Sequence, residues 1–481
     1  MKRREFVGVT ALAALQFYVQ GCGLSVRRSS VGDGATRPGA PERSKSRTGF
    51  GPLVERPGQL LDLPAGFDFV IIHRGGDTLS DGHIMPDQPD GMACFLDDEG
   101  HYILLRNHEL GDRAFLKKYG YRHGFHRADR VPKEGYDPEY FGGVVRVVLD
   151  PKRLAQDLNL GQGRATRSII ESQFVLAGTA INCAGGKVPD GWITCEETTV
   201  ERHGYAFLTK PGDSQLMAPR RIDSWGRLHR EAIALDPKTG VVYMTEDRAD
   251  GCFYRHLPKD PGDPFGEGRL QALVIPNVPN SSPYPKSAEG NPPKRLWSDN
   301  HSWKVRWVDV ADPLAVQESC RAQAASQGAT VFNRSEGIAW DGRSVWFVAS
   351  LGGALRAGQI FQYEQDPDHL EEGTATLRYE VADRSVLSCP DNLTMTPWRD
   401  LLLAEDNYDI GGGCTHQYIR GMDRQGQVYD IARNRNNFLD QSDAGAEFTG
   451  ACFSPDGRYL FINMQSPENV TIAIRGPWAQ S

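Results

Sequence analysis

Six short apolar segments of this chain are opened by an acidic or a sulfur residue: Asp90, Cys183, Glu231, Glu336, Asp391 and Glu447. Each is followed by a second apolar segment that ends in another polar side chain. The pairs run from Asp90 to Glu109, Cys183 to Glu197, Glu231 to Asp247, Glu336 to Ser350, Asp391 to Asp406 and Glu447 to Gln465. Carboxylates are hard oxygen donors that suit cations such as calcium. A thiolate suits a softer or redox ion such as iron or zinc. Carboxylates gathered in a partly dry site repel one another strongly unless protons or cations intervene. Cations are the productive answer, so these residue types predict a multi-metal centre, with Cys183 making it a mixed one.

The elements that must position these groups read as hairpins. The second segments are Tyr102-Ile-Leu-Leu, Trp192-Ile-Thr-Cys, Val241-Val-Tyr-Met, Val345-Trp-Phe-Val, Leu401-Leu-Leu-Ala and Tyr459-Leu-Phe-Ile. The turns before them carry Gly100, Gly191, Gly240, Gly342 and Gly457, and the fifth uses Pro397 and Asp400. This is hairpin chemistry. A hairpin brings its two ends together, which places Asp90 near Glu109, Cys183 near Glu196 and Glu197, Glu231 near Asp247 and Asp391 near Glu405. Arg334 stands two residues before Glu336 and so shares its face on a strand. Its guanidinium fork suits a phosphate or carboxylate, or an ion pair with Glu336. Alternation sets Glu109 and Asn107 on one face and His108 on the other. Glu447 opens its segment one step early, which leaves its register open.

Repeat starts about 50 residues apart, or about 100 where something is inserted, fit the blades of a propeller. The fold expected is all-β, a six-bladed β-propeller with rim insertions near 110–140 and 255–330. Outer strands are expected at Gly143 to Leu149, Cys252 to Arg255, Lys304 to Val316, Gln359 to Tyr363 and Ile419 to Met422, with a helix within 313–327. Gly-Xaa-Ser-Xaa-Gly elbows, phosphate-binding glycine loops and His-Glu-Xaa-Xaa-His helices are missing from the sequence, which disfavours serine hydrolases, loop nucleotidases and zincins.

The 481 residues include 52 Gly and 30 Pro, a balance that suits a turn-rich β protein. The formal net charge of -8 argues against nucleic-acid binding. Lys2-Arg3-Arg4-Glu5-Phe6 and the apolar run after it read as a twin-arginine export signal over 1–22. Val19-Gln20-Gly21-Cys22 resembles a lipobox, so Cys22 is a candidate lipid anchor. Residues 23–55 read as a flexible linker and 56–476 as one propeller domain. The nine cysteines are scattered rather than framed as a disulfide scaffold.

At the residues quoted so far the chain resembles the PhoX family of exported alkaline phosphatases, from about residue 60 to 470. The likeness rests on Asp90-Gly-Met, Asn107-His-Glu, Asn182-Cys-Ala-Gly-Gly with Thr194-Cys-Glu-Glu, and Val242-Tyr-Met-Thr-Glu-Asp. It continues through Phe253-Tyr-Arg, Arg334-Ser-Glu-Gly, Pro390-Asp-Asn-Leu with Glu405-Asp, and Phe453-Ser-Pro-Asp-Gly. The resemblance implies a monomeric periplasmic or membrane-anchored enzyme that hydrolyses small-molecule phosphomonoesters with Ca2+ and Fe3+ in one cluster. It implies that Cys183 ligates iron, that Glu197, Glu231 and Glu336 ligate metal, and that Arg334 holds phosphate. Asp247, Asp391, Glu405 and Glu109 complete the expected metal set. Two departures touch the rim: Lys187-Val-Pro-Asp-Gly-Trp is one residue short of the family pattern, and Arg230-Glu231 replaces the usual His-Glu. A calcium-dependent lactonase or esterase, or a non-catalytic metal-stabilised surface protein, are the alternative readings.

Overall fold

The computed structural model describes residues 49–123, 134–161, 163–165, 167–284, 294–366, 368–407, 416–435 and 447–478. The export signal, Cys22, Cys414 and most of the expected linker lie outside the described residues. Three strands lead in: β1 (Leu53–Val54), β2 (Leu61–Pro64) and β3 (Asp68–Arg74). Antiparallel meanders follow. The first is β4 (Pro89–Leu96), β5 (Tyr102–His108), β6 (Gly142–Leu149) and β7 (Ile169–Thr179). The second is β8 (Asn182–Val188), β9 (Gly191–Glu196), β10 (Ala206–Thr209) and β11 (Arg221–Ile222). Next come β12 (Arg230–Leu235), β13 (Val242–Glu246), β14 (Tyr254–Pro258), β15 (Gly268–Val274) and β16 (His301–Asp309). Then follow β17 (Ser335–Trp340), β18 (Val345–Ala349), β19 (Gln359–Gln365) and β20 (Glu372–Glu380). The chain finishes with β21 (Pro390–Met395), β22 (Leu401–Glu405), β23 (Tyr418–Met422) and β24 (Val428–Asn434), then β25 (Phe448–Phe453), β26 (Tyr459–Met464) and β27 (Val470–Arg475).

The arrangement is all-β and propeller-like. The first strands of the hairpins form a closed ring, β4 on β8, β8 on β12, β12 on β17, β17 on β21, β21 on β25 and β25 back on β4. Each second strand alternates side chains between two apolar cores, because strand side chains repeat with period two. Ile193 and Trp192 face opposite ways, as do Met244 and Tyr243, Phe347 and Trp346, and Leu403 and Leu402. Among the described residues, six such cores separate successive hairpin units. Hydrogen bonding among the described residues nevertheless resolves five sheets. Strand β16 pairs with β15 on one side and β20 on the other, so two units merge into one nine-stranded sheet. A strand in this stretch agrees with the outer strands expected from Lys304 to Val316, but sequence patterning does not reveal the merger, because nothing local says that β16 joins two units.

The last sheet closes with an early strand: β3 pairs with β27. Residues 49–55, assigned to the linker by composition, belong to the fold. β1 pairs with β2, and Phe50 packs edge-on against Phe67, Trp398, Tyr429 and Trp478. The helix expected within 313–327 occupies Cys320–Ser326, capped by Ser319. Among the described residues no helix is long and apolar enough to cross a membrane.

Candidate metal centre

The opening residues are aimed by one repeated backbone device. In five of the ring strands the ladder slips at the opener, between Pro89 and Met92, Asn182 and Gly185, Arg230 and Ile233, Ser335 and Ile338, and Pro390 and Leu393. Such a bulge sets two residues against one and re-aims the side chain there. Asp90, Cys183, Glu231, Glu336 and Asp391 are each the first residue of a bulge. In β25 the slip lies between Thr449 and Cys452, three residues beyond Glu447.

Small residues follow four of the openers, as Gly91, Ala184, Ala232 and Gly337, where neighbouring ring strands press together. A Cβ on Gly91 would fall 2.7 Å from Ala184 Cα, and one on Gly337 would fall 2.3 Å from Leu393 N and 2.5 Å from Asp391 O. Gly337→Ala is therefore expected to cost about 3 kcal/mol or more through overpacking against backbone. Gly342→Ala, at a turn where a Cβ meets nothing within 4 Å but φ is +95°, is expected to cost about 1 kcal/mol. Urea unfolding midpoints of the two variants would check this.

Among the described residues the bulges and hairpin ends bring four groups of three donors together, the ligand atoms within each lying within 4.8 Å of one another. They are Asp90, Glu109 and Cys183; Cys183, Glu197 and Glu231; Glu231, Glu336 and Asp391; and Asp391, Asp406 and Glu447. Cys183, Glu231 and Asp391 each serve two groups, so the four join into one continuous cluster. Cys183 Sγ lies 3.3 Å from Glu231 Oε1, while Glu231 Oε2 is buried with no hydrogen-bond partner. An orphaned carboxylate oxygen among other carboxylates fits a cation. The all-oxygen groups fit hard cations, and the two groups containing Cys183 fit a thiophilic or redox ion.

The neutral closing residues steady the cluster as donors. Gln465 Nε2 donates to Asp90 Oδ2 at 2.6 Å and to Glu109 Oε2 at 3.0 Å. Ser350 Oγ donates to Glu336 Oε1 at 2.6 Å. Asn107 is not a donor to the cluster. Its amide ties down the carbonyls of Cys183 and Ala184 at 2.7 and 2.8 Å, while Trp192 fixes its other end. Arg334 holds a positive φ of 55°. Its Nε and Nη2 grip Asp247 at 2.7 Å each, and Nη2 lies 3.3 Å from Glu336. The sequence alternatives of anion clamp and ion pair with Glu336 thus meet a third fact, a bidentate pairing with Asp247.

Burial drives the protonation of this cluster first, and mutual repulsion adds to it. Asp90, Glu197, Glu231, Glu336 and Glu447 are pushed well above the usual carboxylate range. Burial raises Glu109 to about 7, and burial with Asp406 nearby raises Asp391 to about 8. The Cys183 thiol is driven well up by burial and by Asp90 and Glu231. Asp247 differs: burial raises it, but the Arg334 hydrogen bonds prevail and hold it low.

Of the expected metal set, Glu109, Cys183, Glu197, Glu231, Glu336 and Asp391 come together in these groups. Asp247 lies beside them, paired with Arg334. Glu405 points into its own sheet, where it accepts from Ser388 N at 3.0 Å and meets Arg420 at 3.2 Å. Asp406 takes the place expected of Glu405, because Glu405 is still in ladder register opposite Pro390. The signal was present: in Glu196-Glu197 and Glu246-Asp247 it is the second acid that closes the hairpin. Glu447, whose register the sequence left open, joins Asp406.

Cations held by donors of this kind neutralise and polarise anionic oxygens, the chemistry of metal-dependent hydrolases of phosphate esters. Within that class the chain belongs to the alkaline phosphatase PhoX family, whose profile matches residues 48–468. No curated protein matches it in sequence. Among solved structures it is similar to Pseudomonas fluorescens PhoX in complex with vanadate, a transition-state analogue. That likeness has a TM-score of 0.63 and 18% identity over 87% of this chain and 96% of the other. A gluconolactonase from Xanthomonas campestris, at 11% identity over 88% of this chain and 99% of its own, has a TM-score of 0.38.

Proposed function

We propose that the cluster of four donor groups holds calcium and iron and that the protein uses it to hydrolyse small phosphomonoesters. The observation that carries this is Cys183, a thiol shared by two donor groups and in contact with Glu231. Cys183, Asp90, Glu109, Glu197 and Glu231 would hold the iron side, and Glu231, Glu336, Asp391, Asp406 and Glu447 the calcium side. When bound, the metals neutralise phosphate charge and activate the attacking oxygen. Arg334 binds equatorial phosphate oxygens as they gain charge, its plane fixed by Asp247. Glu336 keeps the guanidinium at the cluster edge, and Ser350 keeps Glu336 turned toward the donors.

The test is p-nitrophenyl phosphate hydrolysis at alkaline pH, before and after chelation, with metal content measured on the same preparation. Chelator-sensitive turnover supports the reading; metal-loaded protein without turnover overturns it. Arg334→Ala is expected to lower kcat by about 100- to 1,000-fold while retaining metal. Arg334→Lys, lacking the planar fork, is expected to recover little.

The finer features follow the same reading. Taking the nine-stranded sheet as two four-stranded units bridged by β16 gives a six-bladed propeller, which the six interleaved cores support. The Lys2-Arg3-Arg4 segment directs export by the twin-arginine route to the periplasmic side, with Cys22 as a lipid anchor and the enzyme acting as a monomer.

A further inference from the structure

The second strands end in a recurring pair of residues. His108 precedes Glu109, Glu196 precedes Glu197, Glu246 precedes Asp247 and Glu405 precedes Asp406. In the other two hairpins Ala349 precedes Ser350 and Met464 precedes Gln465. Every acidic closing residue therefore follows a buried ionisable group, and both neutral ones follow an apolar residue. All six positions are buried at the same place in the same hairpin. Ala349 and Met464 show that the hairpin itself does not need a polar group there. The polar group goes with the donor that comes after it.

Hydrogen bonds indicate its role. His108 Nδ1 donates to Asp87 O at 2.9 Å. Glu196 Oε1 accepts from Ala180 N at 2.9 Å, and Glu405 Oε1 accepts from Ser388 N at 3.0 Å. Asp87, Ala180 and Ser388 each stand three residues before the opener of the same hairpin, namely Asp90, Cys183 and Asp391. The exit of the second strand is thus clamped to the entry of the first. The far oxygen of Glu196 also accepts from Gly204 N and Tyr205 N at 2.8 and 3.1 Å. Glu246 is held otherwise, by Cys252 N, the Tyr254 hydroxyl and Arg321, with Arg230 across the ladder. It clamps no entry segment, so its hairpin lacks this tie.

We propose that His108, Glu196 and Glu405 are positioning residues that set the spacing between the two donors of their own hairpins, so that cation affinity depends on groups that touch no cation. This rests on the metal-dependent reading of the cluster. Groups that orient ligands from behind typically change metal affinity by about 10- to 100-fold when replaced.

The experiment is calorimetric titration of chelated, full-length protein with calcium and, separately, with iron, alongside unfolding midpoints. Glu196→Gln and Glu405→Gln are compared with Glu380→Gln. Glu380 is equally buried and hydrogen-bonded, to Gln359 and Ala354 N, but it ends β20, far along its sheet from the donors. The expected result is binding about 10- to 100-fold weaker for calcium in Glu405→Gln and for iron in Glu196→Gln. Glu380→Gln is expected to lose stability but keep wild-type affinity. Wild-type affinity in both Glu196→Gln and Glu405→Gln would overturn the proposal, whatever their stability. Should one of them not fold, His108→Asn takes its place under the same criterion. Failure of the wild-type protein itself to bind calcium would instead overturn the metal reading beneath it.

Discussion

Cys183→Ala is expected to reduce phosphomonoester turnover on the order of a thousandfold while leaving the fold intact. The size follows from the metal contribution to charge stabilisation in the transition state, several kcal/mol where such a site is intact. Cys183 serves two donor groups, so its loss breaks the cluster at a shared joint and not at an end. The fold survives because the position is held through its backbone. Asn107 secures the Cys183 carbonyl, and the side chain makes one bond, to Glu231. Without a cation, burial and the surrounding charges keep the sulfur protonated. The thiolate is therefore expected to form only as metal displaces the proton. Cys183→Ser separates the two metals: its oxygen still suits calcium but no longer supplies the soft donor. Elemental analysis of both variants should show iron lost in each and calcium retained better in the serine protein. Iron content and turnover at wild-type level in Cys183→Ala would sink the mixed-metal reading.

Chelation is expected to reverse the sign of the pH dependence of stability. The cluster carboxyls bind protons more tightly folded than unfolded, with Glu109 at about 7, Asp391 at about 8 and five others pushed well up. The stability they contribute is complete below their unfolded values and is lost as pH rises through the folded ones. Chelated protein should therefore weaken from weakly acidic pH through pH 8 and beyond. The loss accumulates at about 1.4 kcal/mol per pH unit for each carboxyl ionised in the unfolded chain but not in the fold. Asp247, held low by Arg334, contributes with the opposite sign but is a single group. Calcium should invert the trend, since carboxylates bound to a cation stay ionised in the fold and lose that support only on acidification. Unfolding midpoints across pH 5 to 9, with calcium and with chelator, test this. Parallel profiles would mean that the carboxylates are not the cation site.

The sequence carried the hairpins and the ring of opening residues well, for a physical reason. Asp90, Cys183, Glu231, Glu336 and Asp391 each sit before a small or apolar run whose period is set by two neighbouring cores. Which of two adjacent acids closes a hairpin was less legible. Simple alternation from Leu401 does not decide between Glu405 and Asp406, since the bulge at Asp391 shifts the facing register. Glu447 was obscured because its bulge lies three residues later than in the other hairpins. The pairing of β16 with β20 and of β3 with β27 joins segments distant in sequence. No local pattern encodes those contacts.

The seam between β3 and β27 also sets a clock on metal acquisition. Asp90 is synthesised early, whereas Glu447, and Gln465 which reaches back to Asp90, come near the end. A nascent chain cannot present the whole donor set, which is complete only after the ring has closed. An ion that needs the complete set is then selected by the free-ion supply of the compartment in which closure happens, not by affinity rank alone.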